Sequence, residues 1–375
     1  MKKQHCTLIS VLLLCVVVLL AWKVWTTITL EIEIYTQVEA QIATIANTLS
    51  KCKAFQDRND HSQHNSGLNG EGIKRCVIGT ILKDKQCIPC PRGTFSLPGW
   101  IACDSHLTCD QIQYDVSVTN HLFVIGQWHY KSAEWSGYQV IHASMETEHM
   151  SSIHFDPKVI GDVLKNSSFL HPIGFCIERG TIVFVQPSVS TIKGRAIELE
   201  AMMIRNSKCD SWIVRFKLAI DFVRTLSQLH STPGGPVVLC NSLSLEQTLR
   251  QLAITEYWEL TLGAFDNLQQ RKNGSLIKCS DKEMKGDFVA PEQRWPYRET
   301  KVFNIQQQPG YTEASDVWKI PDITETLLGN SKNARKVLDY LSLTHFLCKS
   351  EDVRSISAAE VLQQYVEVWK LLVYY

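Results

Sequence analysis

The chain has 375 residues, of which 45% are hydrophobic, enough for one large domain or two smaller ones with a sizeable core. Lys and Arg together number 38, as do Asp and Glu, and this zero formal charge argues against nucleic-acid binding, which needs an excess of cations. The 13 cysteines are too sparse for a small disulfide scaffold and too many to ignore in a reducing compartment. They raise the question of which side of a membrane the chain occupies.

The first predicted element is a membrane anchor at residues 8–25, preceded by a short cytosolic N-terminus at residues 1–7. The anchor carries one charge, a lysine near its end, and is close to the shortest helix that crosses a bilayer. A cleaved signal peptide is the alternative, but no small-x-small cleavage site follows the apolar run. Because Lys2 and Lys3 precede the anchor and acidic residues follow it, the positive-inside rule predicts a type II topology with a lumenal or extracellular C-terminal domain.

Residues 26–75 are predicted to form a stalk and a flexible linker. The stalk stripe (Val38, Ile42, Ile45, Leu49) has steps of four, three and four, the spacing of an apolar face on a helix. Fewer than three heptads favours a simple membrane-proximal helix over two stalks wound together. Residues 52–75 are rich in Asn, Gln, Asp, His and Gly, which is typical of a flexible linker.

Residues 76–115 form a cysteine-rich segment that is best explained by disulfide bonds. Cys87 and Cys90 form a Cys-x-x-Cys pair, for which a zinc site and a redox pair are the alternatives. No second pair of zinc ligands follows at a usual spacing, and no β-α-β pattern surrounds the pair. Several pairings are compatible with the spacing. The disulfide candidates of this segment are Cys76, Cys87, Cys90, Cys103 and Cys109.

Two glycosylation sequons, Asn166-Ser-Ser and Asn273-Gly-Ser, also follow the predicted anchor. Sequons this short arise by chance at a similar frequency, so they support the topology only weakly.

Residues 116–375 have the pattern of one globular domain in which strands come first and helices later. Three short runs rich in β-branched and aromatic residues predict strands, at 122–125, 138–142 and 181–186. Two amphipathic runs predict helices, at 211–229 and 358–373. This order indicates a small β-rich lobe followed by a larger helical lobe.

Three strings in the helical half resemble motifs of the protein-kinase C-terminal lobe: Ala290-Pro-Glu292, Asp316-Val-Trp318 and a segment that begins at Arg354. Singly, each is also compatible with a turn before a proline, a helix cap or a surface arginine; their order carries the resemblance. The resemblance implies an α+β, bilobal protein-kinase-like fold behind the N-terminal transmembrane helix. It also implies that Glu292 pairs with Arg354 and that Asp316 anchors the backbone of the catalytic loop.

Longer strings resemble one branch, the protein O-mannose kinase family. They are Cys90-Pro-Arg-Gly-Thr-Phe95, Gly286-Asp-Phe-Val-Ala-Pro-Glu-Gln293 and Asp316-Val-Trp-Lys-Ile-Pro-Asp322, within a match from about residue 88 to 370. The resemblance implies a type II membrane protein of the endoplasmic reticulum. It implies transfer of phosphate from ATP to the 6-hydroxyl of mannose in the O-linked core trisaccharide of α-dystroglycan. It also adds four disulfide candidates, Cys176, Cys240, Cys279 and Cys348.

At the catalytic positions implied by the resemblance, this chain has residue types that differ from those of the family. Asn241 stands where the family has the base Asp, and an amide can orient a hydroxyl but cannot accept its proton; a general base contributes about 10²–10⁴ in rate. Ala264 stands at the metal-ligand Asp and offers no oxygen to Mg²⁺. Asp266, two residues on, is a possible substitute ligand, and a solvated turn is its alternative.

The nucleotide-binding positions have changed as well. Gly126 stands alone where the family has two closely spaced glycines. The bulky Trp128 and Tyr130 that follow either obstruct the approach of phosphates or pack on the lobe. No lysine occurs at residues 140–143, where the strand-three lysine of ordinary kinases falls.

The sequence therefore predicts a lumenal pseudokinase or strongly impaired kinase, with no resident metal, that binds O-mannosyl glycan or scaffolds dystroglycan-type glycosylation. The alternative is an active glycan kinase that uses ATP with Mg²⁺ or Mn²⁺. A third class, an adhesion or receptor ectodomain on a stalk, is opposed by the long family strings. The expected partners are an O-mannosyl glycan or glycoprotein and, through the N-terminal helix, the membrane; nucleic acid is excluded.

Overall fold

The computed structural model describes residues 76, 79–84, 86–91, 93–97, 100–145, 159–160, 171–185, 192–240, 242–255, 257–265, 268–279, 282–297, 300–350 and 356–374. The predicted anchor, stalk and linker lie outside these residues. So do Asn166, Asn241, Asp266 and Arg354. Within the described part of the chain, no helix has both the length and the apolar character needed to cross a bilayer.

The cysteine-rich segment folds into two small hairpins and a helix. Its elements are β1 (Thr80–Lys83), β2 (Gln86–Pro89), β3 (Thr94–Phe95), β4 (Asp104–Ser105) and α1 (Cys109–Asp115). Strand β1 pairs with β2, and β3 pairs with β4, both antiparallel. Helix α1 begins with a capping box, in which Thr108 and Gln111 each accept the other's backbone N–H.

A five-stranded antiparallel sheet follows, in the order β5-β6-β7-β9-β8. Its strands are β5 (Val116–Ile125), β6 (Trp128–Trp135), β7 (Tyr138–Met145), β8 (His171–Cys176) and β9 (Thr181–Val185). The three strands predicted from the sequence are confirmed as the end of β5, the first part of β7, and β9. Together with the cysteine-rich segment, this sheet forms the sheet-rich region, residues 76–185.

Both faces of the sheet are buried at its inner strand β9. Successive side chains of a strand point to opposite faces, and every residue of β9 is buried. Ile182 and Phe184 belong to the core shared with the C-terminal helices, whereas Val183 and Val185 belong to a second core that contains Phe95 of the cysteine-rich segment. The cysteine-rich segment therefore covers the face of the sheet that points away from the helices.

Four disulfide bonds occur among the described residues: Cys76–Cys87, Cys90–Cys103, Cys109–Cys176 and Cys240–Cys279. Cys87 and Cys90 are thus bonded to different partners, so the zinc-site and redox-pair alternatives for this Cys-x-x-Cys are wrong. Eight of the nine candidate cysteines are bridged.

Cys348 corrects the disulfide prediction. It is a fully buried thiol at the end of helix α7 (Lys332–Cys348), within the main hydrophobic core. A disulfide requires a second cysteine with its Cα atom within about 7 Å. None of the four described bridges includes Cys348, and a small apolar thiol suits the core in which it lies.

The helical region, residues 192–374, contains the remaining elements. Its strands are β10 (Ile192–Arg195), β11 (Val237–Leu239), β12 (Leu252–Thr255), β13 (Leu260–Leu262) and β14 (Leu268–Gln270). Its other helices are α2 (Leu199–Arg205), α3 (Trp212–His230), α4 (Leu245–Arg250), α5 (Ala314–Val317), α6 (Ile320–Leu328) and α8 (Ala358–Tyr374). Strands β10, β12 and β13 form one small antiparallel sheet, and β11 pairs with β14.

Helix α3 is the centre of the helical region. It begins at the predicted cap, Ser211, whose hydroxyl accepts the backbone N–H of Val214. Its apolar side packs against α6 and α8, and the rings of Phe216 and Tyr365 lie 5.9 Å apart. The predicted helices at 211–229 and 358–373 are thus confirmed as α3 and α8. A sheet-rich part followed by a helical part is the predicted α+β arrangement, consistent with a kinase-like fold.

Candidate active site

The loop after β11, where the sequence places the catalytic loop, is supported from behind by a buried carboxylate. Asp316 of α5 is 1% exposed, and its Oδ2 accepts the backbone N–H of Leu239 at 3.0 Å. His230 Nε2, at the end of α3, lies 3.2 Å from the same oxygen. A charge-assisted bond to a buried amide fixes the backbone more firmly than a neutral one. Asp316 therefore holds the end of β11 against the helices.

A buried lysine completes this support. Lys319 Nζ donates to the hydroxyl of Ser242, and that hydroxyl donates to the carbonyl of Leu239 at 2.5 Å. The same Nζ lies 3.8 Å from Asp316 Oδ1. Burial lowers the pKa of the Lys319 ammonium, and the nearby Asp316 carboxylate opposes that shift. We call Asp316, His230, Lys319 and Ser242 the loop support.

The loop is also tied to the following segment by a covalent bond. Cys240, directly after β11, is bonded to Cys279. The backbone N–H of Cys279 donates to the hydroxyl of Tyr311 at 2.9 Å, and burial raises the pKa of Tyr311 to about 12. The tyrosine therefore stays neutral at any physiological pH and acts here as a hydrogen-bond acceptor.

In front of the loop, the predicted metal position is apolar. Strand β13 leads into Gly263, Ala264 and Phe265, and Ala264 is 2% exposed. Mg²⁺ and Mn²⁺ need oxygen ligands, and the methyl group of Ala264 provides none. Among the described residues 263–265, no side-chain oxygen is available to a metal ion; Asp266, the possible substitute ligand, lies outside the described residues.

The predicted nucleotide loop is a tight turn. Gly126 and Gln127 are the only residues between the paired Ile125 and Trp128, and Gly126 has a positive φ of 59°. Such a φ favours glycine. Two residues close the hairpin and leave no extended loop to surround phosphate groups.

Three side chains of this hairpin pack on the residues on either side of Ala264. Ile125, Trp128 and Tyr130 are each fully buried. The hydroxyl of Tyr130 donates to the carbonyl of Gly263 at 2.5 Å, and the rings of Trp128 and Phe265 lie 5.8 Å apart. Of the two alternatives for Trp128 and Tyr130, packing in the core is therefore the one observed. We call Ile125, Trp128, Tyr130 and Phe265 the cleft contact.

Within the described strand β7, no cation takes the place of the strand-three lysine. His142 of β7 pairs in register with Lys131 of β6. Ile141 and Ala143 face the helical region, so His142 and Lys131 point to the opposite face of the sheet. Burial, and the charge of Lys131 after it, lower the pKa of His142. Both residues are on the wrong side of the sheet to contact a nucleotide.

Relatives of this chain support the kinase-like assignment. It is 31% identical over 290 residues to protein O-mannose kinase of Gallus gallus, an alignment that covers 76% of this chain and 81% of the relative. It is 30% identical over 285 residues to that of Macaca fascicularis, covering 74% and 80%. The corresponding human protein is 29% identical over 285 residues, covering 74% and 80%. The chain belongs to the protein O-mannose kinase family. No family model matches the chain.

Of the other residues that the sequence predicted to be functional, some lie within the described part of the chain and some lie outside it. Glu292 lies in the half-buried turn Pro291–Gln293, while Arg354, its implied partner, is outside the described residues. Asn241 and Asp266 are outside them as well. Asn273 is exposed in a turn after β14 and has a positive φ of 52°. An exposed asparagine in a turn suits a glycosylation sequon.

Sequence reasoning missed Lys319, Ser242 and the role of Tyr130. A lysine is normally a surface residue, and nothing in its neighbourhood along the chain indicates burial. The available signal was its position three residues after Asp316, which places both side chains on one side of the same helical turn.

Proposed function

We propose that this member of the protein O-mannose kinase family is a pseudokinase, or a strongly impaired kinase, that binds O-mannosyl glycan or scaffolds dystroglycan-type glycosylation. The observation that carries the proposal is the contact between the β5–β6 hairpin and residues 263–265. The groups in this contact are buried and apolar, and the family resemblance assigns residues 263–265 to the segment that holds metal-bound phosphates in a kinase.

Phosphoryl transfer depends on positioning and on charge stabilisation, because the protein does little covalent chemistry. Ala264 supplies no metal ligand, the Gly126 turn supplies no loop over phosphates, and the face of β7 towards the helices supplies no cation. Each of these deficits removes a different part of the machinery. We infer that ATP with Mg²⁺ or Mn²⁺ is not a cofactor of this chain.

The folded framework supports a binding function. The loop support holds the backbone at the end of β11 through the bonds of Asp316 Oδ2, Ser242 and Lys319. The named activity of the relatives concerns O-linked mannose, so we propose an O-mannosyl glycan or glycoprotein as the partner. The proposed location is the lumen of the endoplasmic reticulum, with the N-terminal helix as a type II anchor.

The first test is thermal unfolding of the C-terminal domain with ATP and Mg²⁺ or Mn²⁺. A ligand that binds only the folded state at 100 times its Kd stabilises it by about 2.7 kcal/mol, which raises the midpoint by several degrees. We expect no change for this chain. The chicken relative, treated in the same way, is the positive control. A clear rise for this chain would contradict the proposal.

The second test offers the core trisaccharide together with labelled ATP. We expect the trisaccharide to bind, measured by calorimetry without nucleotide, and no label to be transferred. Transfer that is abolished by Asp266→Ala would instead establish the active-kinase alternative, with Asp266 as the shifted metal ligand. Absence of trisaccharide binding would restrict the proposal to scaffolding.

A further inference from the structure

Three partly exposed aromatic side chains lie together at one end of the five-stranded sheet. Trp135 ends β6 and Tyr138, which is 42% exposed, begins β7; the two residues pair in register across the turn at Ser136 and Gly137. Their ring centroids lie 6.3 Å apart, and the planes of the rings differ by 31°. Trp100 of the cysteine-rich segment donates from Nε1 to the Tyr138 hydroxyl at 3.4 Å. We call Trp100, Trp135 and Tyr138 the aromatic platform.

A buried ring and a disulfide bond hold the aromatic platform in place. Phe95 is 3% exposed, and its ring centroid lies 5.6 Å from that of Trp100 and 5.8 Å from that of Trp135. The bridge between Cys90 and Cys103 closes the chain around both Phe95 and Trp100. Rings that are fixed before binding lose little conformational entropy when a ligand contacts them. The platform is therefore preformed.

The chemistry of the aromatic platform suits a sugar ring. The C–H groups of a pyranose form an apolar face that packs on an aromatic ring, while its hydroxyl groups need hydrogen-bond partners at the edge of that contact. The Tyr138 hydroxyl accepts from Trp100 and can still donate its own proton. Asp104 is exposed and pairs in register with Phe95, which adds an acceptor carboxylate beside the support of the platform.

The charges around the aromatic platform favour a neutral sugar. The described segments that carry the platform, residues 94–97, 100–105 and 134–139, contain Asp104 and Glu134 but neither lysine nor arginine. A phosphate group is bound by cations, arginine above all. Protein interfaces that are rich in Trp and Tyr are usually rich in arginine as well. A neutral sugar is therefore favoured over a phosphorylated one and over the surface of a protein.

We propose that the aromatic platform binds a neutral pyranose of the O-mannosyl glycan. This inference rests on the proposed function and assigns that glycan to a surface of the sheet-rich region. Trp135 is seven residues along β6 from Trp128 of the cleft contact, a distance of about 23 Å at 3.3 Å per residue. Sugar binding at the platform is thus separate from the nucleotide positions, and it requires neither ATP nor a metal ion.

Fluorine NMR of the full-length chain in detergent, labelled with 5-fluorotryptophan, tests the site directly. The chain has ten tryptophans, and Trp100→Phe and Trp135→Phe identify the two platform signals by their loss. On titration with the core trisaccharide, without nucleotide, we expect both signals to shift and that of Trp369 in α8 to stay unchanged. Shifts confined to tryptophans outside the platform would overturn the proposal.

Calorimetry with the same trisaccharide measures what the platform contributes to affinity. Tyr138→Ala removes the most exposed of the three rings, and we expect the Kd to rise about tenfold while the thermal midpoint stays close to that of the wild type. Tyr138→Phe keeps the ring and removes the hydroxyl, so the Kd should rise only about threefold. The matched control is Tyr114→Ala, which alters a 76% exposed tyrosine of α1 and should leave the Kd unchanged.

The outcomes separate this proposal from the proposed function. Equal affinities of the wild type and Tyr138→Ala would overturn the platform as the site and leave the glycan-binding function standing. No binding by the wild type would overturn both the platform and the glycan-binding function. A wild-type dimer in light scattering that Tyr138→Ala converts to a monomer would also overturn the proposal, because the platform would then belong to a second copy of the chain.

Discussion

The side chains that support the loop after β11 are charged or polar, buried and bonded to one another, whereas the side chains that pack beside Gly263 and Phe265 are apolar. Asp316, Lys319 and Ser242 form the first group, and Ile125 and Trp128 belong to the second. Removing one member of a buried polar network leaves its partner unpaired, which destabilises the fold. Replacing a ligand-binding carboxylate by an apolar group removes a charge that the folded protein had to tolerate. Substitutions within the loop support are therefore costly to the fold, whereas an apolar residue in place of the metal-ligand carboxylate is tolerated beside the cleft contact.

The largest effect is expected from Asp316→Ala. This change leaves the Leu239 N–H without its acceptor and the buried Lys319 ammonium without the carboxylate charge beside it, and we expect a loss of about 5 kcal/mol in the free energy of unfolding. Urea denaturation followed by tryptophan fluorescence measures it. Asp316→Asn is the matched control, since it keeps an oxygen acceptor and removes only the charge, and it should lose less. Equal losses would show that charge is irrelevant to the loop support.

Trp128→Ala tests the cleft contact. Removing a fully buried indole beside Phe265 should decrease the free energy of unfolding by about 4 kcal/mol through lost burial and the resulting cavity. The variant should still fail to bind ATP with Mg²⁺, because space does not replace missing metal ligands. Nucleotide binding by this variant, measured by calorimetry, would show that packing alone closes the site.

The pH dependence of stability tests whether a polar group elsewhere in the helical region, His345, also contributes to the stability of the fold. Burial, and the charge of Lys349 after it, lower the pKa of His345 to about 4, while its Nε2 lies 2.8 Å from the Tyr365 hydroxyl. A lowered folded-state pKa means that the stabilisation is present above pH 6.5 and is lost as the pH falls towards 4. We expect a loss of up to about 3 kcal/mol over that range. In thermal melts between pH 7.5 and 4.5, the midpoint of His345→Gln should depend less on pH than that of the wild type. The same pH profile in both proteins would refute the role of His345.

The smallest effect is expected from Tyr130→Phe. The change removes only the hydroxyl that donates to Gly263, so we expect a loss of about 1 kcal/mol. A mid-point shift of a few degrees in a thermal melt would show it. If the loss approached that of Trp128→Ala, the hydrogen bond rather than the apolar packing would hold the cleft contact together.

The sequence predicted the elements with strong local signals. Ser211 begins α3 because a cap and an apolar period coincide there, and β9 is a strand because β-branched residues fill it. Contacts between distant residues have no local signal. The pairing of Cys109 with Cys176 and the burial of Lys319 depend on how segments far apart in sequence meet. The change of residue type at Ala264 could be read from the sequence, but the side chains that pack on its neighbours could not.

The bond from Tyr130 to Gly263 has a mechanical consequence. A kinase that turns over must hinge: its two parts separate to admit nucleotide and close again. In this chain the tyrosine crosses that gap, and opening would expose Ile125 and Trp128 to water. The hinge is therefore stiff. A rigid protein loses little conformational entropy when it binds a partner. If a glycoprotein contacted both regions at once, their two surfaces would already have the relative position that binding requires.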